Sequence, residues 1–182
     1  TQHGGRIMSG DPIYQFSAEG IRGRIQRVYP GMIAELARNA QQYYWSSFKD
    51  PGHLGSVRMS AMNRFLDDFE KGLEDGRYVD ASLPELPFFD GEFDLALCSH
   101  LLFLYSDQID AAQHINALTE MCRVAKEVRI YPLLSLDGRV SQHVPGVLRY
   151  FNERDYIAEL KPVAYQFQKG AMDMMVVRKK IA

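Results

Sequence analysis

Apolar residues recur at helical spacing through the first half of the chain. After Ser17, whose side chain can cap a helix, isoleucine and valine residues fall on one helical face. Pro30 predicts the start of a second helix, because proline is best tolerated in a first helical turn. Steps of three and four residues predict a third helix over 54–73. Residues 17–75 are therefore expected to hold three consecutive helices.

The second half alternates short apolar runs with helical stretches. Three runs have the length of buried parallel strands, namely Arg77–Ala81, Phe93–Cys98 and Glu127–Leu133. Helices are predicted over Ile109–Val124 and His143–Glu153, and the segments 157–167 and 172–178 are predicted to close the sheet as an antiparallel hairpin. This alternation is typical of an α/β fold with a mostly parallel sheet.

The first residues predict a helix end followed by a strand. Gly4 and Gly5 suit a helix C-terminus, and Arg6–Ser9 can form a short strand that delivers Asp11 at its carboxyl end. The chain begins with Thr1 rather than methionine. A missing upstream segment and the removal of an initiator methionine both account for that start, and both interpretations stay open.

The composition is that of an ordinary soluble globular protein with one domain: 182 residues, 46% hydrophobic and 24% charged. Basic residues number 21 and acidic residues 23, and the resulting net charge of -2 argues against nucleic acid as a partner. No apolar run of about 18 residues and no basic-then-apolar leader occurs, so neither a membrane partner nor export is expected. Cys98 and Cys122 fit neither a disulfide framework nor a metal cluster, which favours a cytoplasmic location without a bound metal.

Several short motifs between residues 77 and 134 occur together. Asp80-Ala81 follows a predicted strand, Leu86-Pro87-Phe88 forms a turn, and Phe93-Asp94 begins the next strand. A helix ending in EMCRVAKE then precedes a further strand. In this order the motifs resemble the second half of a class I S-adenosylmethionine-dependent methyltransferase. The Lys-Pro-Gly-Gly turn usual in that family is reduced here to Lys126-Glu127.

The resemblance implies a binding site for S-adenosylmethionine at the carboxyl ends of the strands. Asp11 matches the acid that accepts from both ribose hydroxyls, and Asp80 matches the acid at the adenine amino group. The backbone amide of Ala81 then faces an adenine ring nitrogen. Each acid also fits a simpler role, because aspartate before a proline or at a strand end commonly forms a turn.

The resemblance also places Cys98, Ser99 and His100 at a strand tip beside the sulfonium end of the cofactor. His100 is the candidate catalytic residue, as a general base or as a group that orients the methyl acceptor. A strand-end histidine bonded to a loop is the competing interpretation of His100. Packing in the core is the competing interpretation of Cys98.

The fold implied by the resemblance is a Rossmann-like sheet in three layers, mostly parallel with an antiparallel strand at its C-terminal end, in one domain over residues 1–182. Residues 17–75 form a lid in this scheme, with Tyr43, Tyr44 and Trp45 near the reaction face. The family's first strand and glycine-rich loop have no counterpart, as in an N-terminally truncated member, so exposed strand edges are expected. The implied activity is methyl transfer to a small molecule, and a non-catalytic binding or scaffold protein is the alternative.

Overall fold

The computed structural model describes residues 5–180. They divide into two compact units, the first extending to Ser82 and the second beginning at Leu83. Each unit has its own elements and its own buried cluster, and each is described by itself. The helix end predicted at Gly4 lies outside the described residues.

The first unit joins two short strands through two long helices. Its elements are β1 (Ser9–Gly10), a 3₁₀-helix (Pro12–Gln15), α1 (Ala18–Arg38), a second 3₁₀-helix (Ala40–Gln42), α2 (Pro51–Glu74) and β2 (Tyr78–Val79). β1 and β2 pair in parallel, with Ser9 opposite Tyr78 and Gly10 opposite Val79. The strand predicted at Arg6–Ser9 is shorter and lies later in the chain, at Ser9–Gly10, and Asp11 follows it directly.

The predicted helix break at Pro30 is wrong, because α1 continues through this residue. A proline inside a helix removes the hydrogen bond to the carbonyl four residues earlier, here that of Gln26. The helix continues because its apolar stripe still packs beyond the proline: Leu36 is buried, and the Ile33 side chain lies against Gly55 of α2. The predicted third helix is confirmed as α2, so residues 17–75 contain two long helices rather than three.

Aromatic rings fill the space between the long helices and the two strands. Tyr14, Phe65, Phe69 and Tyr78 form a cluster whose ring centroids are 5.2 to 6.0 Å apart. Phe69 is fully buried, and Ile21 of α1 packs in the same core. Burial of such large side chains contributes to the hydrophobic stabilisation of this small unit.

Tyr78 is held both at its ring and at its hydroxyl. The hydroxyl donates to Oδ2 of Asp68 at 3.0 Å, and Nη2 of Arg77 donates to Oδ1 of the same carboxylate at 2.9 Å. The bonds from Arg77, and then from Tyr78, hold the pKa of Asp68 below its usual value. Gly72 lies so close to the ring that an added Cβ would overlap two of its carbon atoms. One side chain thus anchors β2 to α2.

The second unit is a mixed four-stranded sheet with two helices. Its elements are β3 (Phe93–Ser99), α3 (Ala111–Val124), β4 (Ala125–Tyr131), α4 (Val144–Asn152), β5 (Tyr156–Pro162) and β6 (Asp173–Lys179). The strand order is β3-β4-β6-β5, in which β3 and β4 are parallel and β6 is antiparallel to both β4 and β5. The closing antiparallel hairpin is confirmed as β5 and β6. An α/β fold with a mixed sheet is confirmed with it.

One face of this sheet packs against the helices. α3 begins at a capping box, in which Asp110 and Gln113 each accept from the other's backbone N–H group. The buried core of the unit combines helix and strand residues, among them Leu118, Met121, Val128, Phe151, Met175 and Val177. Cys98 of β3 lies in the same cluster.

β3 forms one edge of the sheet, with β4 as its single neighbour among the described strands. Leu97 is 69% exposed and Leu95 is 41% exposed, so apolar side chains stand in solvent along this seven-residue strand. Natural edge strands are usually short, charged or covered. The prediction of exposed strand edges is confirmed at β3.

Within residues 5–180, no helix combines the length and the apolar composition that are needed to cross a bilayer. The same part of the chain contains no group of three or more His, Cys, Asp and Glu side chains that could surround a metal ion.

Candidate functional site

Two acidic residues end the paired strands of the first unit. Asp11 directly follows β1, and Asp80 directly follows β2. Because Gly10 pairs with Val79 in a parallel ladder, the next residue on each strand lies at the same edge. The Asp11 N–H donates to the Val79 carbonyl at 3.2 Å, which ties the two strand ends together. The structure thus brings together the two positions predicted to bind the adenosyl group.

Asp11 already has a structural role. Its Oδ1 accepts from the backbone N–H of Ile13 at 2.9 Å and caps the 3₁₀-helix Pro12–Gln15. The turn-forming interpretation of Asp11 is therefore confirmed. A carboxylate has two oxygens and about four lone-pair positions, so capping leaves acceptor capacity for a ligand hydroxyl.

Asp80 is the more available of the two acids. It is exposed, and its carboxylate makes no hydrogen bond or ion pair within the described residues. Ala81, the next residue, is buried. A Cβ atom added to Gly10 would stand 3.4 Å from the Ala81 methyl group, so small residues on both strands allow this close approach. An exposed carboxylate of this kind can accept hydrogen bonds from a ligand.

Three further predicted residues lie at the end of β3 in the second unit. Successive side chains of a strand point to opposite faces, and accordingly Cys98 is buried whereas Ser99 is exposed. Oγ of Ser99 lies 2.8 Å from Nδ1 of His100, which is also exposed. The structure therefore pairs Ser99 with His100 and turns Cys98 away from both.

His100 has a left-handed backbone conformation, with φ at 56°. Its N–H donates to the Tyr131 carbonyl at 3.0 Å, and the two rings meet edge to face with centroids 6.4 Å apart. A positive φ is uncommon for a residue with a Cβ atom and occurs at functional turns. These contacts agree with the structural interpretation of His100, and its role as a general base stays a prediction.

Cys98 belongs to the core of the second unit. It packs in the cluster that contains Leu102 and Cys122. Burial raises the pKa of the Cys98 thiol, which keeps the sulfur protonated and unreactive at neutral pH. Core packing is therefore confirmed for this side chain, and any contact with a cofactor would have to come from its backbone.

The aromatic segment predicted to cover the reaction face lies between α1 and α2. Nε1 of Trp45 donates to the Ala40 carbonyl at 2.8 Å, and the rings of Tyr43 and Trp45 meet edge to face, with centroids 6.1 Å apart. Tyr44 is 45% exposed. The role of this segment as a cover stays a prediction.

A groove in the second unit was not predicted from the sequence. It has a volume of about 380 Å³, and its lining includes His143, Arg149 and Tyr150. The His143 ring packs against the buried ring of His114, with centroids 4.6 Å apart and the ring planes tilted by 41°. None of the residues predicted for the cofactor site lines this groove. The two histidines come from distant parts of the sequence, so no local spacing signals their contact.

The chain is similar to an uncharacterized protein of Methanocaldococcus jannaschii. The two are 27% identical over 180 residues, which cover 98% of this chain and 78% of that protein. No protein-family model matches the chain, and no solved structure matches it. An uncharacterized relative carries no activity over to this chain, so a function has to be argued from the geometry.

Proposed function

We propose that this protein is a class I S-adenosylmethionine-dependent methyltransferase with a Rossmann-like sheet. The observation that carries the proposal is the pair of strand ends in the first unit. Two parallel strands in register deliver Asp11 and Asp80 to the same edge. Parallel strands collect ligand-binding groups at their carboxyl ends, and a ribose diol and an adenine amine both need hydrogen-bond acceptors.

The second unit supports the proposal through its strand order and one turn. β6 is the last strand along the chain and lies antiparallel between β4 and β5, in keeping with the mostly parallel sheet that the resemblance implies. The Leu-Pro-Phe motif forms an ordered turn, because the Arg123 guanidinium donates to the Phe88 carbonyl at 2.9 Å and to the Leu86 carbonyl at 3.1 Å.

The two carboxylates have separate tasks in this proposal. Asp80 is exposed and without a partner in the described chain, and it accepts from the exocyclic amine of adenine. Asp11 accepts from the ribose hydroxyls through the oxygen that does not bond Ile13. When bound, the cofactor supplies an electrophilic methyl group on a sulfonium sulfur.

Ser99 and His100 have a role that is proposed separately. The bond between Oγ of Ser99 and Nδ1 of His100 orients the imidazole, which would act as a general base for the methyl acceptor. Methyl transfer can also proceed through alignment of the reactants alone. The binding test below therefore concerns the carboxylates and does not depend on His100.

Calorimetric titration with S-adenosylhomocysteine tests the proposal. Asp80→Ala removes a charge-assisted hydrogen bond worth about 1.5–3 kcal/mol, so the affinity is expected to fall roughly 10- to 150-fold. Asp67→Ala is the matched control, since Asp67 is also an exposed acid of the first unit without a partner in the described chain. The control variant is expected to bind like the unaltered protein.

Two results would count against the proposal. Unchanged affinity in Asp80→Ala, with a normal circular dichroism spectrum, removes Asp80 from the site. Absence of binding both by this chain and by a form extended at its N-terminus overturns the methyltransferase proposal and favours a non-catalytic binding or scaffold protein, whereas binding by the extended form alone supports the enzyme.

A further inference from the structure

Buried polar side chains of the second unit gather in one place. Among the described residues, the buried residues with polar or charged side chains are Ser106, His114 and Ser141. The hydroxyl oxygens of Ser106 and Ser141 lie 2.6 Å apart and share a hydrogen bond. Nδ1 of His114 lies 2.7 Å from the Asp110 carbonyl oxygen. Burial of polar groups costs free energy even when they are bonded, so packing alone does not favour such a grouping.

His143 connects this buried group to the groove of the second unit. Its ring packs against the His114 ring, and its Nε2 atom lies 3.2 Å from the Ser106 carbonyl oxygen. Its backbone N–H donates to Oγ of Ser141 at 3.2 Å. The same residue lines the groove, whose volume is about 380 Å³. The buried polar group thus fixes His143 in the wall of a groove, and grooves of this size with a few fixed polar groups are typical of small-molecule sites.

Part of the groove lining is apolar. Ala111 and Ile115 lie four residues apart on one face of α3, and Val147 comes from α4. Val147 belongs to the buried core of the unit, and Ile115 packs against that core. The apolar part of the lining is therefore anchored in the core, and it offers an apolar group of a ligand a surface on which to leave water.

The charged part of the lining has an excess of positive charge. It contains Arg149 and Arg154, and neither arginine has a carboxylate partner within residues 5–180. Arg154 is held in place, because its guanidinium lies over the Tyr150 ring, 3.6 Å from the centroid, and donates to the Tyr150 carbonyl at 2.8 Å. Glu153 is the one acid among the lining residues, and it forms an ion pair with neither arginine. This balance of charge is complementary to an anion.

Gly146 adds a hydrogen-bond donor and open space to the groove. It is the third residue of α4, and its N–H makes no hydrogen bond within the described part of the chain. A Cβ atom added to Gly146 would meet no other part of the chain within 4 Å, so the groove is open there. Arg149 follows three residues later on the same side of the helix, and long helical side chains lean towards the helix N-terminus. An anion beside Gly146 can therefore accept from this N–H and from the Arg149 guanidinium.

We propose that this groove binds a small organic carboxylate with an apolar body. The carboxylate accepts from the Gly146 N–H and from the Arg149 guanidinium, whose planar fork matches a carboxylate. The apolar body contacts Ala111, Ile115 and Val147. Inorganic phosphate fits less well, because it leaves the apolar part of the lining uncovered. None of the residues predicted for the cofactor site lines the groove, so this inference does not depend on the methyltransferase proposal.

Titration of the isotope-labelled full chain with hexanoate, followed through its backbone amide signals by NMR, tests the inference. Hexanoate is expected to shift the signals of Gly146 and Val147 with a Kd of about 1 mM, because so small a ligand makes few contacts. Hexanol has the same carbon chain without the charge and is expected to bind more weakly by about tenfold or more. The signals of Asp11 and Asp80 are expected to stay unchanged, which separates this groove from the proposed cofactor site.

Two variants separate the effect of charge from that of shape. Arg149→Gln is expected to weaken hexanoate binding about fivefold or more. Its matched control is Arg139→Gln, at an exposed arginine of the second unit outside the groove, which is expected to keep the affinity within about twofold. Gly146→Leu places a side chain in the open part of the groove and is expected to abolish binding. The same variant is expected to unfold at the same or a higher urea concentration, because leucine is a better helix former than glycine.

Several results would overturn the inference. One is the absence of any shift of the groove signals at about ten times the expected Kd. Others are equal binding of hexanoate and hexanol, equal losses in the two arginine variants, and unchanged binding in a folded Gly146→Leu variant. Displacement of hexanoate by an equal concentration of inorganic phosphate would also overturn it, in favour of a site for a bare anion. Calorimetry with S-adenosylhomocysteine is a separate readout, so failure of one proposal leaves the other standing.

Discussion

Replacement of Gly72 by alanine is expected to destabilise the first unit, although alanine is the better helix former. Gly72 faces the Tyr78 ring, and an added Cβ would overlap ring atoms Cδ2 and Cε2. The ring cannot easily move aside. It packs against Tyr14 and Phe69, and its hydroxyl bonds Asp68. The strain therefore has to be taken up by β2 or by α2.

The expected magnitude follows from two opposing effects. Overpacking of a tight core costs about 1–3 kcal/mol, and a ring held on several sides belongs in the upper half of that range. Helix propensity favours alanine over glycine by about 1 kcal/mol. The net loss in the free energy of unfolding for Gly72→Ala is therefore about 1–2 kcal/mol.

Gly55→Ala is the matched control within the same helix. Its Cβ would meet the Tyr29 hydroxyl and the Ile33 Cδ1 atom, which are the ends of side chains that can rotate. Part of the propensity gain should survive, so this variant is expected to lie between neutral and about 1 kcal/mol more stable.

Urea unfolding followed by fluorescence measures both variants. Trp45 is the single tryptophan of the chain and lies in the first unit, so its emission reports on that unit. Gly72→Ala is expected to unfold at lower urea concentration than the unaltered protein, and Gly55→Ala at the same or a higher one. Equal stability of the two variants would show that the Tyr78 ring is free to move and would refute the reasoning.

Two other predictions concern the second unit. Burial, with a smaller effect from His143, lowers the pKa of His114 below its usual 6.5. On acidification, His114 therefore takes up a proton in the unfolded chain before it does so in the folded chain. The free energy of unfolding that His114 contributes above pH 6.5 is lost as the pH falls through the lower pKa of the folded state. Urea unfolding followed by far-UV circular dichroism between about pH 5 and 8 measures how the free energy of unfolding depends on pH. His114→Gln should make this dependence weaker. An equally steep dependence in the variant would contradict the prediction. Leu97→Lys should change the free energy of unfolding by at most about 0.5 kcal/mol, because the side chain is 69% exposed. The same variant should reduce any association of the protein through the β3 edge that analytical ultracentrifugation detects. A clear loss of stability would mean that Leu97 is covered in solution.

Sequence patterns predicted the second unit well because its elements are locally encoded. The apolar run Phe93–Cys98 became β3, one residue longer, since a turn at Asp90-Gly91 marks its start. In the first unit, Pro30 misled the prediction. The local rule that proline begins or breaks a helix was outweighed by packing between two helices, which only the folded chain contains.

The residues of the candidate site also differ in how far the sequence predicted their positions. Asp11 and Asp80 were placed correctly at strand ends, because their positions follow from the strands before them. The conformation of His100 could not be predicted, since its positive φ accompanies a hydrogen bond to the Tyr131 carbonyl on a strand distant in sequence.

The position of β6 has a consequence for the order in which the protein is made. Among the described strands, β5 pairs with β6 and with no other, because β6 stands between β5 and β4. A ribosome working at about 5–20 residues per second delivers β5 first, and this strand then waits without a partner until Asp173–Lys179 has emerged. The sheet is thus completed in one late step. Cleavage of the chain before Asp173 would remove β6, leave β5 unpaired and leave β4 paired only with β3. The sheet would therefore lose two of its four strands rather than one.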